Sequence, residues 1–279
     1  MPTQPMVTLN DGRRMPQLGL GLWQVTDEEV AEIVKNAVKV GYRSLDTAAY
    51  YKNEKGIGNG IRGSDVDRKE LFVTTKLWNN RHGYDETFRA FDETMERLGL
   101  DYIDLYLIHW PVPTENKYVE TWKAFIKLRE EGRVKSIGVS NFLPEYLERI
   151  IGETGVKPVL DQVELHPLFQ QNALRKFNAE HGIATEAWSP LGKGKLVNDP
   201  AIGEIAKKYG KSIAQIIIRW HLDNGCIVIP KSANPERMRD NFNVFDFELS
   251  AEDMAAMAAL NKDERMDMDP AVFTGLDLM

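Results

Sequence analysis

Asp46, Tyr51, Lys76 and His109 are four side chains that together can deliver a proton to a developing alkoxide. A ketone or aldehyde that receives hydride gathers negative charge on oxygen and must take up a proton. A tyrosine is a sluggish acid for this at neutral pH, with an unperturbed pKa near ~10. A lysine ammonium beside the phenol favours phenolate and lowers that value. A buried lysine would itself tend to shed its proton, and a neighbouring aspartate holds the charge in place. A neutral histidine can donate a hydrogen bond to the carbonyl and orient it. Taken singly, each residue has a plainer explanation: a turn aspartate, a lysine reaching out to water, a structural histidine. The set has meaning only if the fold gathers it.

The elements that would do so alternate along the chain. Strand candidates are Leu18–Leu22, Ser44–Asp46, Leu71–Lys76, Ile103–Ile108, Ser136–Val139, Val159–Val163, Ala184–Trp188 and Ile227–Ile229. Amphipathic stretches lie between them: Glu28–Val40, Tyr84–Leu98, Tyr118–Glu131, Pro144–Ile151, Asn172–His181 and Ala201–Tyr209. Val30, Val34, Ala37 and Val38 show the spacing of a buried helical face. The opening reads as a β-hairpin, Met6–Leu9 and Met15 about the turn Asn10-Asp11-Gly12. Strands alternating with helices over roughly 250 residues match an α/β (β/α)8 TIM barrel with an N-terminal hairpin. The whole chain, residues 1–279, is read as one domain. A doubly wound open sheet is the competitor, since its local patterns look alike.

Polar residues at strand ends favour the barrel, where chemistry collects at the βα loops. The second strand ends in Asp46 and the third in Lys76, followed by Trp78. The fourth runs into His109-Trp110-Pro111 and the fifth into Ser140-Asn141. The sixth carries Gln162, the seventh ends in Trp188-Ser189, and the eighth meets Pro230-Lys231-Ser232. In a barrel these converge on one mouth.

The bulk properties exclude other classes. A net charge of −7 argues against nucleic acid as a partner, since phosphate neutralisation needs a basic patch. Cys226 is the single cysteine, set in the apolar run Cys226–Ile229, so no intrachain disulfide forms and a reducing compartment fits. No apolar run approaches the roughly 20 residues of a membrane helix, and the N-terminal stretch lacks an apolar signal core. The expectation is a cytoplasmic monomer with no membrane partner.

Six segments carry a resemblance to a known family. Gly41-Tyr-Arg-Ser-Leu-Asp46-Thr-Ala-Ala-Tyr-Tyr51-Lys-Asn-Glu54 resembles the hallmark segment of the aldo-keto reductases. Thr75-Lys76-Leu77-Trp78, Asp104-Leu-Tyr-Leu-Ile-His109-Trp-Pro111, Ile137-Gly-Val-Ser140-Asn141-Phe142 and Gln162-Val-Glu-Leu-His-Pro167 continue the match. Ile229-Pro-Lys231-Ser232, with Arg237 and Asn241, completes it. Within the family the chain resembles microbial 2,5-diketo-D-gluconate reductases, methylglyoxal-reducing enzymes and trypanosomatid prostaglandin F synthases.

The resemblance implies NADPH across the mouth of the barrel and Tyr51, not Tyr50, as the acid. It assigns Ser140, Asn141 and Gln162 to the nicotinamide carboxamide, Trp188 to stacking on the ring, and Ser189 and Leu191 to the pyrophosphate. Lys193 in the following glycine-rich stretch is a weaker phosphate candidate. Lys231, Ser232 and Arg237 form a cluster of cations and a hydroxyl suited to a 2′-phosphate, with Asn241 at the adenine. Asp161 stands where the family usually has asparagine, which would set an extra acid near the ring unless a cation pairs with it. Gly58-Asn-Gly60-Ile-Arg-Gly63 fits a dinucleotide fingerprint, but a helical stretch and not a strand precedes it, so the glycines are read as packing a helix end.

Trp23, Tyr50, Trp78 and Trp110 follow strand ends and would wall a pocket for a small polar carbonyl. The C-terminal stretch Met266–Met279 is short, so an open, promiscuous site is expected. Glu164 and His166 supply two metal-type ligands without a third, so no metal is expected. Two rival functions remain: a Schiff-base aldolase using Lys76 as nucleophile, and a non-catalytic regulatory barrel that senses NADPH.

Overall fold

Hydrophobic alternation and helical periodicity resolve into a closed barrel in the computed structural model, which describes residues 4–278. Residues 1–3 and 279 of the expected domain lie outside the described residues. The hairpin pairs β1 (Met6–Thr8) with β2 (Arg14–Pro16), with Val7 opposite Met15. The barrel strands are β3 (Leu20–Gly21), β4 (Ser44–Asp46), β5 (Phe72–Leu77), β6 (Ile103–Ile108), β7 (Val134–Ser140), β8 (Leu160–Glu164), β9 (Ala184–Trp188) and β10 (Ile227–Val228). They pair in parallel in chain order. Bridges from Leu18 to Val228 and from Gly21 to Lys231 close β3 onto β10, which removes the edges an open sheet would leave.

The helices are α1 (Asp27–Val40), α2 (Glu54–Arg62), α3 (Tyr84–Leu98), α4 (Tyr118–Glu130), α5 (Pro144–Thr154), α6 (Asn172–His181), α7 (Pro200–Tyr209), α8 (Ile213–Asp223), α9 (Pro235–Phe242) and α10 (Ala251–Ala258). Three of them, α8 to α10, were not among the expected helices. In α8 the run Ile216-Ile217-Ile218 is buried throughout, together with Trp220, His221 and Leu222. A helix apolar on most sides has no clean 3.6-residue stripe and is hard to tell from a buried strand. The capping box of Ser212 and Gln215 was its readable start signal.

The barrel interior changes character along its axis. At the bottom, Leu9 and Met15 of the hairpin pack with Leu105, Leu107, Leu160 and Ile227 and plug the end with apolar bulk. At the top, the inward residues are Asp46, Lys76, Gln162 and Glu186, all buried. Buried charge of this kind costs free energy unless it is paired and hydrogen-bonded. The fingerprint-like glycines lie within α2, and no strand runs into them. A Cβ at Gly58 would collide with the Leu98 carbonyl at the end of α3, and one at Gly60 would press on Ala31 of α1. These glycines let three helices approach one another and leave no phosphate cradle.

Three buried histidines make the fold acid-sensitive. Burial, then the Lys117 charge, pushes His82 down to about 3, and burial does the same to His221. Burial followed by Lys76 pushes His109 well below 6.5. A group with a depressed basic pKa stays neutral in the native state while the unfolded chain takes up the proton. Stability is therefore full above 6.5 and is lost as pH falls toward 3. At pH 5 each such histidine costs about 2 kcal/mol relative to neutral pH. Neither ring nitrogen of His82 has a hydrogen-bond partner, so His82→Leu should raise the urea midpoint at pH 5 more than at pH 7. An equal change at both pH values would remove His82 from the acid response.

Candidate active site

Lys76, on β5, is wholly buried, and its ammonium has three protons to place. Nζ donates to Asp46 Oδ1 at 2.5 Å, to the Thr47 carbonyl at 2.9 Å and to Tyr51 Oη at 3.5 Å. Asp46 ends β4, and Tyr51 sits one short turn later, in the 3-10 segment Ala49–Tyr51. Because Lys76 donates to the phenol oxygen, the phenol's own proton remains available to a third group.

Burial works to lower the lysine pKa, but Asp46, Tyr51 and Glu186 more than offset it and hold the ammonium charged. A Schiff-base aldolase would need this amine uncharged, and its surroundings favour the opposite state. Burial raises the Asp46 carboxyl, while Lys76 and the Gln162 amide pull it back. The Tyr51 phenol differs from the sequence expectation. Burial raises its pKa by more than Lys76 lowers it, and Asp46 and Glu186 add to the rise. Desolvation of the phenolate outweighs one ammonium that is already shared with a carboxylate. These surroundings favour the protonated phenol.

His109 lies across from the phenol, with ring centroids 5.8 Å apart. It is neutral for the reasons given above, so one of its ring nitrogens can donate and the other accept. Both side chains line a cavity of about 650 Å³ at the carboxyl ends of the strands. Trp23, Tyr50, Trp78 and Trp110 line it too. Tyr50 stacks between Trp23 at 5.6 Å and Trp78 at 3.9 Å, forming an aromatic wall.

The same cavity is lined by Ser140, Asn141, Gln162, Trp188, Ser189, Leu191 and Lys231. Asn141 has a left-handed backbone (φ 62°), and Ser189 does too (φ 49°). Such strain in non-glycine residues persists only where the surroundings enforce it. Asn141 Nδ2 donates to the His109 carbonyl at 2.9 Å, and its Oδ1 accepts from Trp188 Nε1 at 3.0 Å. Those bonds fix the Trp188 ring at the cavity wall.

Ser232, Arg237 and Asn241 lie beyond the cavity lining, Ser232 just before α9 and the other two within it. Ser232 and Asn241 are buried and Arg237 is exposed. Among the described residues neither Lys231 nor Arg237 makes an ion pair.

Other expectations change. Asp161 does not face the mouth. Adjacent strand residues point to opposite faces, so Gln162 looks inward and Asp161 outward. Its Oδ1 accepts from the Phe142 backbone N–H at 3.4 Å, and burial drives its carboxyl well above the usual range. Lys193 lines the same cavity and pairs there with Asp267 at 2.5 Å.

The C-terminal stretch is not a bystander either. Glu164 accepts the backbone N–H groups of Met266 at 2.6 Å and Asp267 at 3.1 Å, and it contacts His166 at 3.0 Å. Asn79 holds the Thr274 carbonyl at 2.7 Å. Phe273 then packs on Trp110 at 4.6 Å, so the tail closes one side of the site that was expected to be open. The Glu164–His166 pair thus anchors the tail, and among the described residues no three metal-type side chains converge.

Sequence reasoning missed Phe273, Asp267 and Glu186. Glu186 carried a readable signal, an acid two residues before Trp188 in a strand with a period of two.

Comparison with known proteins agrees with this geometry. The model of the Aldo/keto reductase family matches residues 17–262. Methylglyoxal reductase DkgA of Escherichia coli is 50% identical over 277 residues, covering 99% of this chain and all of the relative. The 9,11-endoperoxide prostaglandin H2 reductase of Trypanosoma cruzi is 51% identical, covering 96% of this chain and 95% of the relative. Among solved structures, a variant of Gox0644 in complex with NADPH superposes with a TM-score of 0.93 at 54% identity, covering 96% and 98% of the two chains. With its barrel, its Tyr51–Lys76–Asp46 hydrogen bonding and this likeness along nearly its whole length, the chain belongs to the aldo/keto reductase family.

Proposed function

We propose that the chain reduces small polar aldehydes and ketones, methylglyoxal and 2,5-diketo-D-gluconate among them, to alcohols with NADPH. The carrying observation is the Tyr51 phenol, protonated, tethered to the Lys76 ammonium at 3.5 Å and opened to the cavity opposite neutral His109. NADPH supplies the hydride when bound. The residues present fit it. Trp188 offers a flat face, Ser140, Asn141 and Gln162 line the floor, and the unpaired cations Lys231 and Arg237 stand near Ser232 for a 2′-phosphate. The NADPH complex of the Gox0644 variant supports this choice of cofactor.

His109 donates to the substrate carbonyl and orients it, while Tyr51 Oη passes its proton to the oxygen as charge develops. An alkoxide is far more basic than a phenolate, so the transfer runs downhill even with the phenol pKa raised. Lys76 then stabilises the phenolate left behind, and Asp46 keeps Lys76 charged. The aromatic wall and Phe273 exclude water around the reacting carbonyl. An intact acid set of this kind supports this reading over a purely regulatory NADPH sensor. Because no described helix is long and apolar enough to cross a membrane and the lone Cys226 is buried, we place the activity in the cytoplasm. We read the working unit as one domain and a monomer, which gel filtration of the active fraction checks.

Loss of NADPH absorbance with methylglyoxal and with diketogluconate is the direct test, and no turnover on any small carbonyl would sink the reading. Arg237→Ala should weaken NADPH by about ten-fold or more and NADH by less than two-fold, since only NADPH carries the phosphate. Equal losses for both cofactors would remove Arg237 from the 2′-phosphate.

A further inference from the structure

Glu186 has no part in the scheme above, yet it belongs to the same polar floor. It lies on β9, in register opposite Gln162 of β8, and is fully buried. Among the described residues it makes no ion pair. Gln162 Nε2 donates to Asp46 Oδ2 at 2.8 Å and to Glu186 Oε2 at 2.7 Å. An amide nitrogen has two protons, so both are used. The acceptors come from different strands on either side of the amide, β4 and β9. Reversing the amide would set its carbonyl oxygen against two carboxyl oxygens. Gln162 Oε1 is therefore turned from the carboxyls, and it meets no donor among the described residues while Gln162 lines the cavity.

We infer that Glu186 is a positioning residue: with Asp46 it locks the Gln162 amide so that Oε1 is presented to the cavity as a fixed acceptor for the carboxamide N–H of the nicotinamide. The inference rests on the NADPH reading above and assigns a role within that site to a residue outside it. Asp46 alone is a poor lock, because its other oxygen is committed to Lys76. A second acceptor sets the amide plane. The charged and titratable groups around Glu186 are Asp46 on β4, Lys76 on β5 and Tyr51 beyond β4. Burial, then repulsion from Asp46, pushes the Glu186 carboxyl up to about 8. Near neutral pH it is largely the acid, and its carbonyl oxygen still accepts from the amide, so the lock holds in both protonation states.

The test compares equilibrium binding of NADPH, of its 3-acetylpyridine analogue and of 2′,5′-ADP, read by quenching of tryptophan fluorescence. The analogue replaces the carboxamide NH2 with methyl and so has no N–H for Gln162 to accept. The wild-type protein should prefer NADPH over the analogue by about ten-fold, the worth of one well-placed hydrogen bond. Glu186→Met keeps length but loses the acceptor, and should cut that preference to about two-fold while 2′,5′-ADP affinity stays unchanged. Glu186→Gln retains an acceptor oxygen and should keep the preference. Glu186→Asp withdraws the acceptor by one methylene and carries the test if the methionine variant does not fold. A full preference in both the methionine and aspartate variants, or its loss in the glutamine variant, overturns the role of Glu186. Wild-type protein that neither binds NADPH nor turns over carbonyls would instead sink the proposed function.

Discussion

Tyr51→Phe should lower kcat for methylglyoxal by about 10³-fold and leave the Kd for NADPH within two-fold. Positioned general acids contribute roughly 10²–10⁴-fold, and this one has no obvious substitute. His109 is neutral, and burial disfavours the imidazolium it would need to become to serve as a stronger acid. Lys76 lies behind the phenol with its protons committed to Asp46, the Thr47 carbonyl and Tyr51 itself. The substitution removes one oxygen and little volume. Lys76 keeps its two shorter bonds, so folding should change little. The pH profile gives an independent check. The acid must be protonated to act, and the phenol pKa lies above 10. The wild-type rate should hold level through neutral pH and fall only in the alkaline range. A fall centred near neutrality would show that Lys76 does depress the phenol, and full kcat in the phenylalanine variant would show that another group is the acid.

That reversal marks where the sequence stopped being legible. The proposed acid set could be nominated from residue types at strand ends, since Asp46 closes β4, Lys76 is the last residue but one of β5 and His109 directly follows β6. Whether the ammonium or the burial controls the phenol is a matter of distance and solvent access, which one-dimensional spacing does not contain. Asp161 failed for a more avoidable reason: the period of two that sends Gln162 inward must send its neighbour out. Glu186 was recoverable from the same parity, counted back from Trp188. The tail could not be foreseen, because Glu164 holds Met266 and Asp267 across about a hundred residues of chain, and no local pattern records that contact. The barrel itself was legible because each strand and helix agrees with its local pattern. Its ends were less so. β3 and β10 are two residues each, and closure depends on bridges from Leu18 and Lys231 outside them.

Lys76→Met should destabilise the protein by about 3–5 kcal/mol at pH 7 and abolish most of the activity. Methionine fills similar space, so the loss is electrostatic. Asp46, 2% exposed, would keep the Gln162 N–H as its principal partner. Burial already raises its carboxyl, and the ammonium that pulled it back would be gone. The sign of the pH dependence follows. A carboxyl whose folded pKa exceeds its unfolded value releases its proton sooner in the unfolded chain. The deficit in the variant should therefore be small below 3.8 and grow as pH rises toward the folded value. In the wild type this trend is opposed by Lys76, whose raised pKa contributes stability throughout the neutral range and loses it only above 10.5. Adding Asp46→Asn to Lys76→Met should restore much of the lost stability at pH 7, because the amide still accepts from Gln162 and has no charge to strand. Removing both members of a buried pair is often close to neutral, whereas removing one leaves an uncompensated charge. Activity should stay lost in the double variant, since no ammonium remains to stabilise the phenolate. Urea midpoints at pH 5 and 7, with kcat measured in parallel, separate the two consequences. A single variant as stable as the wild type, or a double variant no more stable than the single, would mean that the lysine and the aspartate do not form the electrostatic unit on which the site is built.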